Sequence, residues 1–396
     1  MILDVTEVHR PTAFKLKRSL QNAGKKGIII NMRIEELKGR LKSLDDPRRT
    51  NRGNYRHKLE DIIIIGLCSV ICGGEDFVDM EDFGKEREDF LRKFLELPNG
   101  IPDSDTFRRL FEKLNPEDLS ECLVNWLEVE LPERCVIAVD GKTIRGSQNK
   151  EHKAYHIVSA FVADNRITLG EVMVDEKSNE ITAVPELLDM LYLDNAVITA
   201  DAMSCQKAIA EKVISENADY VIGLKNNQRS LYKFTEKCFE DLPSDYPMLE
   251  FGERYRGFEI SRKYYLSDKV EKYSKHKEWS GLKRIGAAVS EYSVNGQTQR
   301  ETRYFITSLT NLNEFANSVR KHWSIENNLH WSLDVIFRED ASRAKKDKSP
   351  LNLNVLRKMA LTLLSKAKTG RLGKRKMMFK AALNPDVLLN ILLSYA

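Results

Sequence analysis

The chain has 396 residues, 42% of them apolar, enough to build two or three domains with a sizeable core. Its longest apolar run, Ile62–Cys72, is interrupted at Gly66 and Ser69 and falls short of the ~20 residues a bilayer demands, so a membrane partner is excluded and a cytoplasmic, nucleoid-associated protein is expected. The net charge of +4 is unevenly spread: residues 1–60 carry 15 Lys/Arg against 7 Asp/Glu, residues 341–380 carry 13 against one, and the remainder is acidic. An acidic centre between basic ends suits a metal-dependent site that must also hold a polyanion, although each basic run alone fits a solvated helix face equally well.

Residues 1–31 read as an irregular basic lead-in, and Met32 opens a helical pattern that runs to Leu44. From 58 to about 131 the spacing is helical, with Leu59, Ile62, Ile63, Leu67 and Val70 on one face. Ser104-Asp105 starts a short helix over Thr106–Leu114, and Asn115-Pro116 starts the next. Residues 32–133 are therefore expected to be an all-α N-terminal domain, able to dock a helix in a DNA groove. The six cysteines form no Cys-x-x-Cys pair and read as buried free thiols.

From 134 the pattern becomes α/β. Strands are expected at Val136–Val139, Ala154–Ala163, Ile167–Val174, Val197–Ala200 and Tyr220–Leu224, with helices over Pro185–Leu193 and Cys205–Asn217. Three hairpin strands followed by helix, strand, helix, strand is the order of a ribonuclease H-like core, here assigned to 134–225 and 311–345. Between them, 226–310 reads as a β-rich insertion with strands at Phe258–Leu266, Leu282–Tyr292 and Gln299–Ser308. Residues 346–396 form a basic helical C-terminal region.

Asp140 and Asp201 each end a short apolar strand. Neighbouring strands would bring both to one opening, where hard oxygen ligands suit Mg²⁺. Two such ions about 4 Å apart can activate a water and stabilise the leaving oxygen at phosphorus. A third acid is then needed, and His322-Trp323-Ser324-Ile325-Glu326-Asn327-Asn328-Leu329-His330-Trp331-Ser332-Leu333-Asp334 supplies candidates. Glu326 is favoured on a helix face it shares with His330, with Asp334, Glu339 and Asp340 as alternatives; Trp323 and Trp331 are expected in the core. The histidines make no zinc spacing, and Gly141-Lys142-Thr143 lacks the upstream glycine of a nucleotide-binding loop, so no nucleotide cofactor is expected.

Several blocks resemble the H-repeat-associated insertion-sequence transposases of the DDE class: Pro47-Arg48-Arg49, Leu95–Pro102, Asp140-Gly141-Lys142-Thr143-Ile144-Arg145-Gly146-Ser147, Thr199-Ala200-Asp201-Ala202, Glu301-Thr302-Arg303-Tyr304 and His322–Asn327. The resemblance spans roughly residues 40–365. It implies a transposase that uses Asp140, Asp201 and Glu326 to hold Mg²⁺ or Mn²⁺, cleaves DNA at inverted-repeat ends and transfers the 3′ ends into target DNA, as a dimer when DNA-bound. Relatives in the broader group carry Tyr, Arg and Lys around the glutamate, where this chain has Val319, His322 and Leu333. Candidate DNA contacts are therefore Lys142, Arg145, Lys225, Arg320, Lys321, His322, His330, Lys345 and Lys346. The resemblance also sets the usual start near Met32, making residues 1–31 an upstream extension. A ribonuclease H-like nuclease without strand transfer, or an inactive element-derived DNA-binding protein, are the competing expectations.

Overall fold

Among the described residues a nine-stranded mixed sheet organises the molecule, its strands lying in the order 167–174, 156–162, 136–143, 197–200, 219–224, 297–307, 284–294, 258–267 and 248–255. The computed structural model describes residues 23–48, 56–150, 152–174, 180–240, 242–243, 245–255, 258–294, 297–367 and 372–395. Residues 1–22 of the expected lead-in, and Arg49 of the Pro-Arg-Arg block, lie outside these.

The first five strands are the ribonuclease H-like core. β1 (Val136–Thr143), β2 (His156–Val162) and β3 (Ile167–Val174) form the antiparallel meander. After helix α7 (Glu180–Asp189), β4 (Val197–Ala200) lies parallel beside β1, and after α8 (Lys207–Ser215), β5 (Asp219–Leu224) lies parallel beside β4. The apolar runs are buried on both faces, as a sheet covered by helices requires: Ile137, Ala138, Ile198 and Ile222 expose 1% or less.

The strand limits differ from the expectation in instructive ways. β1 does not stop at Val139. It continues through Asp140-Gly141-Lys142-Thr143, paired there with β2 alone, because its parallel partner β4 ends at Ala200. Helix α7 begins at Glu180 and contains Pro185, which sequence reading placed at its start; packing of Ala183, Val184, Leu187 and Leu188 outweighs the backbone bond that proline removes.

The insertion contains helix α9 (Arg229–Glu240) and four strands, one more than expected: β6 (Met248–Tyr255), β7 (Phe258–Ser267), β8 (Arg284–Val294) and β9 (Gln297–Thr307). β6 mixes Gly252 with the irregularly spaced charges Glu250, Glu253 and Arg254, which hid its period. These strands are not a separate sheet: β9 pairs antiparallel with β5, Leu224 opposite Tyr304, so the insertion extends the core sheet at its edge. Gly286 on β8 lets the Phe315 ring lie against the sheet, since a Cβ there would stand 2.2 Å from it.

The N-terminal region is helical: α1 (Ala23–Leu41), α2 (Leu59–Cys72), α3 (Phe77–Glu86), α4 (Glu88–Leu91), α5 (Ser104–Phe111) and α6 (Pro116–Leu127). α1 begins well before Met32. Asp76, Asp103 and Asn115 cap the free N–H groups of α3, α5 and α6. α2 is buried over nearly its whole length, and Gly66 brings it within van der Waals reach of Leu356 on α11 (Ser349–Lys366). α11 is buried from Ser349 to Leu364 and packs on the helical region and on β3, joining both parts in one apolar core. α12 (Lys374–Leu383) and α13 (Pro385–Leu392) close the chain. The cysteines among the described residues are free and buried or half-buried. No helix of the described residues is long and apolar enough to cross a membrane.

After β9, α10 (Leu312–Ser324) starts at an Asn311 cap. Past Ser324 the winding widens into π turns over Ile325–His330 and Ser332–Ile336, where an α-helix was expected. The buried residues Ile325, Leu329 and Leu333 repeat at a steady spacing of four, which a wider turn keeps on one face. π turns of this kind concentrate at functional sites.

Candidate active site

Val139 of β1 sits opposite Ala200 of β4, so Asp140 and Asp201 are the next residues of two hydrogen-bonded neighbours. Asp140 receives the Gly141 N–H on Oδ1 at 3.0 Å. Asp201 Oδ1 accepts from the N–H groups of Met203 and Ser204 at 2.9 and 3.2 Å, a turn that fixes its side chain where the strand ends. A Cβ on Gly223 of β5 would lie 3.1 Å from the Ala202 nitrogen, so the glycine leaves room for this turn.

The Asp140 carboxyl is pushed up to about 7 by burial, then by the negative charges of Asp201 and Glu326, with Glu180 a smaller contributor. Glu326 lies exposed on the first π turn, which packs against β1. The other third-acid candidates are engaged elsewhere. Asp334 and Glu339 both accept from Lys142 Nζ, at 2.7 and 3.0 Å, and Asp340 Oδ1 accepts the Arg145 N–H at 3.3 Å. Among the described residues no three His, Cys, Asp or Glu side chains stand close enough together to hold a metal ion as they are. Burial, and then the Asp201 and Glu326 charges, oppose ionisation of Asp140, and carboxylates are hard oxygen donors of the kind a divalent cation takes.

The Gly141–Ser147 stretch is built as a dock. Gly141 is packed under His156 and Glu180, whose Nε2 and Oε1 stand 2.6 Å apart, while His156 Nδ1 meets Thr143 Oγ1 at 2.9 Å. Gly146 lies under the Glu339 carbonyl, 2.7 Å from where its Cβ would be. Ser147 Oγ donates to the Ile144 carbonyl and accepts the Tyr155 N–H. Sequence reading missed Glu180 and His156: the β1–β2 register sets His156 opposite Thr143, and the packing of α7 on β2 brings Glu180 close to Asp140. At Gly141 an added Cβ would meet Glu180 Oε1 at 2.5 Å and His156 Nε2 at 2.6 Å. Gly141→Ala is therefore expected to cost about 1–3 kcal/mol and to reduce activity by displacing Asp140, measurable by thermal melting and by a cleavage assay.

The candidate DNA contacts fall into distinct environments. Lys142 is 9% exposed and held between two carboxylates, so its ammonium faces inward, not toward solvent. Arg145 and Lys225 are exposed, Lys225 just past β5. Arg320 is exposed with its guanidinium 4.3 Å over the Phe251 ring, and Lys321 pairs with Asp164 at 2.7 Å. His322 Nδ1 meets Thr199 Oγ1 at 3.0 Å, and burial with the nearby Arg303 charge lowers its imidazole to about 4. His330 Nδ1 stands 3.6 Å from Asp140 Oδ2 and is lowered to about 3 by burial, Lys142 and Lys358. Both rings are thus neutral near pH 7 and offer no positive charge to a phosphate. Lys345 is exposed, and Lys346 pairs with Glu112 at 3.2 Å. Trp323 is half-buried, whereas Trp331, expected in the core, is 49% exposed because the π winding turns it outward. Val319 and Leu333, in place of the signature Tyr and Lys, are core residues.

Comparison with known proteins gives two family matches: the Transposase DDE domain over residues 131–363 and the DDE_Tnp_1-associated domain over 39–127. The "H repeat-associated putative transposase YhhI" of Escherichia coli strain K12 is 36% identical over 374 residues, covering 91% of this chain and 98% of that protein. The "Putative transposase YncI" of Escherichia coli O157:H7 is 37% identical over 375 residues, covering 92% and 96%. Among solved structures, the cryo-EM structure of piggyBac transposase synaptic complex with hairpin DNA aligns with a TM-score of 0.37 at 10% identity, over 96% of this chain and 81% of that one. With one family model spanning more than half of the sequence and relatives matched nearly end to end, the chain belongs to the DDE transposases, in the H repeat-associated group.

Proposed function

We propose that the protein is a metal-dependent DNA strand-transferase that cleaves at the inverted-repeat ends of its element and joins the freed 3′ ends to target DNA. The observation that carries the reading is the strand register setting Asp140 beside Asp201, with the Glu326 charge felt at Asp140. Asp140, Asp201 and Glu326 would hold Mg²⁺ or Mn²⁺. Bound there, the ions would lower the pKa of an attacking water or hydroxyl and stabilise the leaving oxygen. Asp201, fixed by its turn, and Asp140, fixed on the sheet, keep their oxygens oriented before substrate arrives. His330, its Nδ1 3.6 Å from Asp140 Oδ2, would cover one side of that carboxylate. Exposed Arg145 and Lys225 would contact phosphates around the acids. Duplex DNA is the partner, and a dimer in the DNA complex follows from the need to join two ends.

The test is incubation of the protein with DNA carrying the flanking repeats of its own element, a supercoiled target plasmid and Mg²⁺. Joined product is expected, and EDTA should abolish it. Cleaved ends without joined product would reduce the reading to a nuclease. Absence of both, from folded protein that binds the repeats, would leave an inactive DNA-binding relative.

A further inference from the structure

One motif of the family resemblance, Glu301-Thr302-Arg303-Tyr304, has no part in the acid site. It lies on β9, in the insertion. Strand alternation sends Glu301 and Arg303 to one sheet face and Thr302 and Tyr304 to the other. On the first face, across β8, lies Arg262 of β7, and the three strands together with α10 enclose an open groove of about 730 Å³. Arg262, Arg303, Arg320, Lys321 and Trp323 line it, and it runs to Glu326.

We propose that this groove is a binding site for the phosphodiester backbone of DNA next to the scissile bond, with Arg262 and Arg303 as its phosphate contacts. The inference rests on the strand-transferase reading, because that reading identifies the bond at Glu326. Trp323 acts as a platform: the Arg262 guanidinium stands 4.3 Å from its ring centroid and that of Arg303 stands 5.2 Å away. Stacked guanidiniums are pre-oriented, and their planar forks match phosphate oxygens better than a lysine's point charge. Glu301 pairs with Arg303 at 2.8 Å, with side chains 52% and 47% exposed. Such exposed pairs contribute little, so a phosphate can displace the carboxylate. The lining is mainly polar and open, which suits a passing polyanion better than an enclosed small molecule. The opposite sheet face offers a natural control, because Arg300 lies there in a separate groove with Phe239, Tyr246 and Tyr304.

The test measures fluorescence anisotropy of a labelled mixed-sequence DNA duplex in EDTA, over a series of salt concentrations, with the full chain. Each lost phosphate contact lowers the slope of log affinity against log salt by about 0.9. R262Q/R303Q is therefore expected to lower the slope by roughly 1 to 2 and affinity by about tenfold or more, while E301Q binds more tightly than wild type and R300Q is unchanged. If thermal melting shows the double variant unfolded, R303Q alone carries the test, at about half the slope change. Wild-type slope and affinity in the arginine variants would overturn the proposal, as would an equal loss in R300Q, which would mark a diffuse charge effect. These measurements need no catalysis. Failure of the strand-transferase reading would show separately, as undiminished cleavage by Asp140→Asn.

Discussion

Asp140→Asn, Asp201→Asn and Glu326→Gln are each expected to lower DNA cleavage by at least about 1000-fold, about 4 kcal/mol of transition-state stabilisation, without unfolding the protein. Asp140→Asn is further expected to stabilise the metal-free fold. In the folded state burial and the neighbouring carboxylates push Asp140 up to about 7 from its ordinary 3.8. The folded chain then holds a proton that the unfolded chain releases, so the Asp140 contribution to stability is fully present below about pH 4 and is lost as pH rises toward 7. The asparagine variant should lose this decline and melt higher at pH 7, by an amount on the order of a few kcal/mol. Mg²⁺ should raise the melting temperature of wild type and leave that of the variant nearly unchanged, because ligand stabilisation follows affinity for the folded state. Thermal melts at pH 5 and pH 7, with and without Mg²⁺, check both statements. A variant that melts like wild type at both pH values and still gains stability from the ion would remove Asp140 from the site.

The acids on strands were legible because a buried strand announces itself as an apolar run and a carboxylate at its end breaks the run abruptly. Asp140 and Asp201 needed only the order of elements to become neighbours. Ribonuclease H-like topology was legible for the same reason. The winding of the third segment was less so: Ile325, Leu329 and Leu333 read as an α-helical stripe, yet their even spacing is met by π turns that leave Trp331 in solvent. The Gly141–Ser147 stretch illustrates what sequence conceals. Lys142 and Arg145 after an aspartate read as candidate DNA contacts. Lys142 instead continues the strand into the interior, where Asp334 and Glu339 meet it. Those partners lie almost 200 positions away in the chain, and no periodicity records such a contact. Glu180 and His156 escaped because they meet only where α7 packs on β2, a contact that no periodicity records either.

That interior contact leads to the second large effect. Glu339 is fully buried, and although burial works to raise its carboxyl, Lys142 and Arg357 hold it below its ordinary range. Arg357 stands 3.6 Å away on α11, and Asn354 of the same helix donates to Glu339 at 2.8 Å. Arg357 also donates to the Glu75 carbonyl at 3.3 Å, so the chain of contacts passes from β1 through the segment after Glu326 to the helical region. Removing Lys142 leaves a buried carboxylate with one remaining cation. Lys142→Ala is expected to cost about 3–5 kcal/mol, read as a lower denaturation midpoint at unchanged slope. Asp334→Asn should cost under about 1 kcal/mol, because its side chain is 35% exposed. Since the same ammonium fastens the second π turn to β1, Lys142→Ala protein that remains folded should also lose cleavage more than DNA affinity. A lysine that touched DNA instead would give the reverse: unchanged midpoint, weaker binding, and a salt slope lower by about 0.9. The two roles predict opposite pairs of results, and one denaturation curve with one salt titration distinguishes them.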